Sequence, residues 1–94
     1  MHRSEERAWR TFTPTEEKVR LFLVENVFHD RDVRNLKPED SLIEKGLLDS
    51  LSILKTVTFC EEEFGVVIPD EDVQTDHFES VRAIARLVEK VRGR

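Results

Sequence analysis

Cysteine is nearly missing from this chain of 94 residues. Cys60 stands alone, so no internal disulfide can form. No apolar run approaches the ~20 residues that span a bilayer. The opening Met1-His2-Arg3-Ser4-Glu5-Glu6-Arg7 is too charged to begin a signal peptide. The expected compartment is therefore the cytoplasm, without membrane contact. Histidine is sparse too: His2, His29 and His77 are scattered, with no H-x-x-x-H and no C-x-x-C spacing. That excludes the usual zinc patterns, and no metal site is expected. Glycine linkers, internal repeats and low-complexity tracts are also lacking.

What is present fits one small domain. A chain this short buries only about 60–65% of its unfolded surface, so stability rests on a few well-packed helices. The net charge of −5 is unevenly spread. Residues 49 to 79 hold nine acids and one base, Lys55, for −8, whereas residues 80 to 94 hold five bases and one acid, for +4. An acidic surface argues against nucleic-acid binding, which needs a basic one. It favours partners with basic patches, because the field steers their approach. Charge runs of this kind also simply solvate small helical domains.

Residues 1 to 12 are polar and lack a sustained period, and read as a tail preceding a domain over 13 to 92. Trp9 and Phe12 are the exceptions, suited to packing back. Thr13-Pro14-Thr15-Glu16 opens the first helix, with Thr13 as cap, Pro14 at the first helical position and Glu16 closing a capping box. Val19, Phe22, Leu23, Asn26 and Val27 fall on one side at ~100° per residue, with Asn26 as a core-edge hydrogen bonder. The helix is expected to end near His29 and Asp30. Residues 30 to 49 form a long connection, anchored by Leu36, Leu42, Ile43 and Leu47, with a short turn capped by Asp40 or Ser41 and stopped at Gly46.

A second helix is expected over 50 to 64, with Asp49 as N-cap and Gly65 as its end. Ile53, Val57, Cys60 and Phe64 make its core stripe. Leu51, Leu54, Lys55, Thr58, Glu61 and Glu62 lie mostly on the other side. Val66-Val67-Ile68-Pro69 is extended, Asp70 caps a short helix over about 71 to 77, and a last helix starts near Ser80. Its buried stripe is Val81, Ile84, Ala85, Val88 and Val91. The expected fold is all-α: a small bundle of three main helices plus one short helix.

Ser50 carries the chemistry. It lies at a helix start, where unpaired N–H groups and the macrodipole favour a phosphate. It lacks the Gly-x-Ser-x-Gly frame and an evident base, so it is placed to be modified rather than to attack a substrate. Glu61, Glu62 and Glu63 point in different directions along a helix and form no acid–base pair. Cys60, on the core stripe, reads as a small buried hydrophobe. No catalytic residue is expected.

The run Gly46-Leu47-Leu48-Asp49-Ser50-Leu51 resembles the phosphopantetheine attachment motif of acyl carrier proteins, whose core is Asp-Ser-Leu. The resemblance continues through Glu61-Glu62-Glu63-Phe64-Gly65, Ile68-Pro69-Asp70-Glu71-Asp72 and Phe78-Glu79-Ser80-Val81, and covers roughly residues 14 to 92. It implies a freestanding carrier, not an enzyme, working as a monomer. By resemblance, Ser50 takes 4'-phosphopantetheine from coenzyme A, through a phosphopantetheinyl transferase and Mg²⁺. The arm's thiol then holds a thioester-bound acyl or aminoacyl group, loaded by a ligase or synthase and passed to downstream pathway enzymes. Asp49 and Leu51 complete the attachment motif, and Leu51, Leu54, Glu61 and Glu62 form the expected docking surface.

Carriers of the fatty-acid type usually place an acid directly after Asp-Ser-Leu and another three residues later. Here those positions are Ser52 and Lys55, and Thr56 and Thr58 stand where such carriers are usually apolar. That points to a dedicated secondary-metabolite pathway, polyketide-like or of the nonribosomal-peptide type. The reading from another class is an unmodified helical adaptor that binds proteins through its acidic face.

Overall fold

Each α-helix among the described residues starts on a side chain that caps it. The computed structural model describes residues 11–29 and 31–93; Trp9 and the tail expected up to residue 10 lie outside the described residues. Helix α1 is Pro14–Asn26, α2 is Ser50–Phe64 and α3 is Val81–Arg92. Thr13 caps α1 through a complete capping box: its hydroxyl accepts from the Glu16 N–H at 3.1 Å, and the Thr13 N–H donates to Glu16 Oε1 at 2.8 Å. Asp49 caps α2, and Ser80 caps α3 by accepting from the Ala83 N–H at 3.0 Å. Among the described residues no strand occurs, and the architecture is a small all-α bundle.

α1 ends three residues earlier than its apolar pattern suggests. The ladder closes at Val27, whose N–H reaches Leu23 O at 2.9 Å, and the Phe28 N–H donates to the same carbonyl at 2.7 Å. His29 then adopts a left-handed backbone at φ 54°. Breaking the helix there turns Phe28 into the core, where it is 2% exposed. Asn26 is exposed, and its Nδ2 donates to Phe22 O at 3.1 Å.

The long connection after α1 is held from both ends. Leu36, Leu42 and Leu47 are buried, and Ile43 packs against the core. The Glu44 N–H donates to Ser41 Oγ at 3.1 Å, and Gly46, at φ 68°, takes the left-handed conformation that glycine adopts at least cost. Ser41 also donates to Glu79 Oε2, while the Leu42 N–H reaches Glu79 O at 2.7 Å. These bonds tie the connection to the start of α3.

The stretch expected as one short helix over 71 to 77 is instead two 3-10 turns, Asp70–Asp72 and Thr75–Phe78. Gln74 is extended between them, and neither turn has a side-chain cap. A helix this short gains little from its own hydrogen bonds. Burial decides the path: Phe78 is fully buried, and Asp72 turns inward against Lys90 Nζ at 3.6 Å and His77 Nε2 at 3.9 Å.

The core stripe of α2 is rotated from the expected one. Ile53, Thr56 and Cys60 are buried, while Val57 and Phe64 are half-buried. Phe59, also half-buried, stacks on Phe22 of α1 at 4.2 Å between ring centroids. α3 buries the expected Val81, Ile84, Ala85, Val88 and Val91, and Leu87 besides.

Candidate functional site

Leu47 and Leu48 are buried, and together they press the chain against the core just before α2. The chain then emerges at Asp49 and Ser50, both exposed. Asp49 has an extended backbone, and its Oδ1 accepts from the Ser52 N–H at 2.9 Å. The Asp49 carbonyl accepts from the Ile53 N–H at 2.8 Å. The Ser52 N–H, and after it the Ser52 hydroxyl, hold the Asp49 carboxyl below its ordinary value, so it is ionised at neutral pH. Among the described residues, the Ser50 hydroxyl has no hydrogen-bond partner. It stands in water on the first residue of a helix of 15 residues.

This arrangement suits modification. Among the described residues no histidine or carboxylate bonds to Ser50 Oγ, so none of them activates it as a nucleophile. A phosphodiester formed there requires no side chain to move and lies near the positive end of α2. The residues present therefore fit a phosphopantetheine group. A larger cavity, about 790 Å³, lies elsewhere, between the start of α1 and α3, with Glu16, Arg82 and Arg86 in its walls. It does not reach Ser50, and size alone does not make it the functional site.

The other residues singled out in the sequence separate into two kinds. Leu51 and Leu54 are 66% and 56% exposed, an apolar pair on α2 beside Ser50. Glu62 is exposed as well. Glu61 is only half-exposed, and its Oε2 accepts from the Ile68 N–H at 2.9 Å. It fastens the extended segment after α2, a structural task that its sequence position does not reveal. Cys60 is fully buried, and burial, with Glu61 adding a smaller effect, pushes its thiol up to about 12. It is inert at neutral pH. Among the described residues, no group of three or more His, Cys, Asp or Glu side chains could hold a metal ion. No helix among them is long and apolar enough to cross a membrane.

Thr56 is fully buried, and its hydroxyl donates to Ser52 O at 2.8 Å. The interior polar group is thus satisfied within its own helix. Thr58 is exposed and makes the same kind of bond to Leu54 O at 3.3 Å.

Arg31 draws no notice in the sequence, where it is one charge in a polar loop. In the fold its Nη1 donates to Gly46 O at 3.2 Å and its Nη2 to Lys45 O at 3.1 Å. It braces the turn that leads into Ser50. Its only sequence signal is its place just after an apolar helix face; the contact spans 15 residues.

The phosphopantetheine attachment site family matches residues 23–88. Acyl carrier protein of Bdellovibrio bacteriovorus is 38% identical over 73 residues, covering 78% of this chain and 88% of that protein. Acyl carrier protein of Nitratidesulfovibrio vulgaris is 37% identical over 59 residues, covering 63% and 75%. That of Helicobacter hepaticus is 37% identical over 60 residues, covering 64% and 76%.

Proposed function

The chain belongs to the acyl carrier protein family, and from that premise we propose that it carries its cargo on an arm bound to Ser50. Its cofactor is covalent 4'-phosphopantetheine, and it is a carrier rather than an enzyme. Its partners are a phosphopantetheinyl transferase and the synthases or ligases that act on carried groups. The observation that carries the choice of Ser50 is its exposed hydroxyl, unpartnered among the described residues, between a fixed Asp49 cap and Leu51.

On this reading Ser50 Oγ displaces the adenosine bisphosphate portion of coenzyme A at phosphorus. A P–O bond forms to Ser50, the pyrophosphate P–O bond breaks, and the serine proton leaves through the transferase. The arm supplies a thiol that holds acyl groups as thioesters. Tethering gives the cargo an effective concentration of order millimolar at each docked enzyme. Leu51 and Leu54 offer partners an apolar contact, and Glu62 adds a charge for a basic rim. The protein works as a monomer in the cytoplasm.

The cargo of this reading is a short or polar acyl or aminoacyl group that stays outside the bundle, in a polyketide or nonribosomal-peptide type of pathway. The fully buried Thr56 and Cys60 support it, since they close the side of α2 that a long chain would enter. Octanoyl and a small aminoacyl group, each loaded on the arm, should leave the amide shifts of Val57, Cys60, Phe64 and Ile84 alike. Octanoyl-specific shifts there would place the chain in the core and refute this part.

The attachment itself is read by intact mass. Apo protein with coenzyme A, Mg²⁺ and a phosphopantetheinyl transferase should gain one phosphopantetheine, and peptide mapping should find it on Ser50. Ser50→Ala should stay unmodified and folded, because Asp49 still caps α2. Modification that persists in Ser50→Ala, or none in the parent, would overturn the assignment.

A further inference from the structure

The end of α1 and the start of α2 enclose an open cleft of about 410 Å³. Its walls include His29 and Arg31 on one side and Asp49 and Ser52 on the other, with Val27 and Leu47 among its apolar lining. Ser50 lies between two of these lining residues in the chain. We propose that this cleft seats the phosphodiester end of the arm, with Arg31 and His29 as positioning residues for its charge and Val27 facing the branched carbons that follow. The proposal rests on attachment at Ser50.

Charge motivates it first. A phosphodiester on Ser50 adds a negative charge beside the ionised Asp49, within a stretch that already carries −8. Inside residues 49 to 79 the sole lysine or arginine is Lys55. The cation that lines this cleft is Arg31, and the His29 ring lines it as a further N–H donor. Among the described residues Arg31 makes no ion pair.

Pre-organisation is the second reason. Arg31 is held by two carbonyls, of Lys45 and Gly46, which use one N–H on each terminal nitrogen. A guanidinium has five N–H donors, so three remain. A braced guanidinium loses less side-chain freedom when it meets a phosphate oxygen, and its fork matches that geometry. His29 has no hydrogen bond or ion pair among the described residues, and the left-handed turn at its own φ of 54° sets it on the cleft wall. The half-buried Val27 gives the same cleft an apolar side. The pantoyl part of the arm is likewise two-faced, with phosphate at one end and a dimethyl carbon next to it.

The test uses full-length holo protein whose modification at Ser50 has been confirmed by mass. Phosphorus NMR reads the phosphodiester, and proton–nitrogen spectra read Arg31 Nε and the His29 ring. Conversion from apo to holo should shift both side-chain signals. In Arg31→Gln the phosphorus resonance should lose most of its displacement from the urea-unfolded value, and in Arg31→Lys it should lose less. His29→Gln should reduce the displacement without touching the bonds to Lys45 and Gly46, which covers the case of Arg31→Gln failing to fold. Modified protein whose Arg31 and His29 signals match the apo form, with an unmoved phosphorus resonance in all three variants, overturns the proposal while leaving Ser50 in place. Absence of modification by mass overturns the Ser50 assignment and this seat with it. Arg31 shifts of equal size when the apo protein meets a transferase alone would give the cleft to a partner's acid and also overturn the proposal.

Discussion

α2 and α3 are of similar length and use their apolar residues in opposite ways. α3, with 12 residues, buries Val81, Ile84, Ala85, Leu87, Val88 and Val91. α2, with 15, buries only Ile53, Thr56 and Cys60 and holds Leu51 and Leu54 out in water. Their charges differ in the same sense. Arg82 on α3 meets Glu16 at 3.4 Å, Lys90 meets Asp72 at 3.6 Å, and Arg92 meets Glu89 at 3.7 Å. On the α2 side Glu62 has no ion pair among the described residues, although Glu63 reaches Lys18 at 3.1 Å. One helix closes the bundle, and the other holds two leucines in water, the face that the proposed function gives to partners. Solvent-facing leucines stabilise the fold little, so on the proposed reading their use is contact with a partner.

The contrast breaks most visibly in stability. Ile84→Ala on α3 should cost about 2–5 kcal/mol, since it empties a fully buried site. Leu54→Ala on α2 should change stability by no more than about 0.5 kcal/mol. Urea unfolding of both variants checks this. Equal losses would mean that the outer face of α2 supports the fold as strongly as the buried face of α3.

Association with the transferase should show the reverse order. Leu51→Ala and Leu54→Ala should weaken it, and Glu62→Lys should slow it severalfold at low salt, with the gap closing as salt rises. Arg86→Glu, on α3, should have little effect. Glu61 is a poor probe of docking because its carboxylate holds the Ile68 N–H. Stopped-flow association rates at several salt concentrations test the pair Glu62 and Arg86. Equal effects from both would erase the distinction between the two faces.

Two further effects appear only at the extremes of pH, one from Cys60 within α2 and one from its cap, Asp49. The Cys60 thiol, pushed up from 9.0 to about 12, is neutral in the folded protein. The unfolded chain releases that proton first, so stability should fall as pH rises from about 9 toward 12. Cys60→Ala should flatten that fall. Asp49 works in the other direction. Its lowered carboxyl favours the folded state at neutral pH, and this contribution fades as pH drops through the folded value, below 3.8. Asp49→Asn should remove that acid-side component. Denaturant midpoints across pH read both limbs, and an unchanged alkaline slope in Cys60→Ala would show that the thiol is not its source.

Local chemistry was legible in the residues themselves. Thr13 with Glu16, Asp49, Ser80 and Gly65 mark helix ends, because a cap bonds to N–H groups two or three residues away and a left-handed glycine closes a helix without distant help. The motif around Ser50 was legible for the same reason: six consecutive residues carry it. Periodicity located α3 well, since its apolar face is broad and its opposite face charged.

Tertiary structure alone decided the rest. The buried face of α2 passes through Thr56 rather than Val57, because packing selects the face and the Thr56 hydroxyl is satisfied by Ser52 O in its own helix. α1 stops early so that Phe28 can enter the core. The 70 to 78 segment breaks into two turns so that Asp72 and Phe78 can point inward. Glu61 became a fastener for Ile68, and Arg31 a brace for Gly46, across gaps of seven and 15 residues. By itself the sequence determined where helices begin and which serine follows the Asp49 cap, since those depend on neighbours along the chain. Which side of each helix is buried, and which charges meet, was settled only when distant segments came together, because burial and ion pairing depend on neighbours in space.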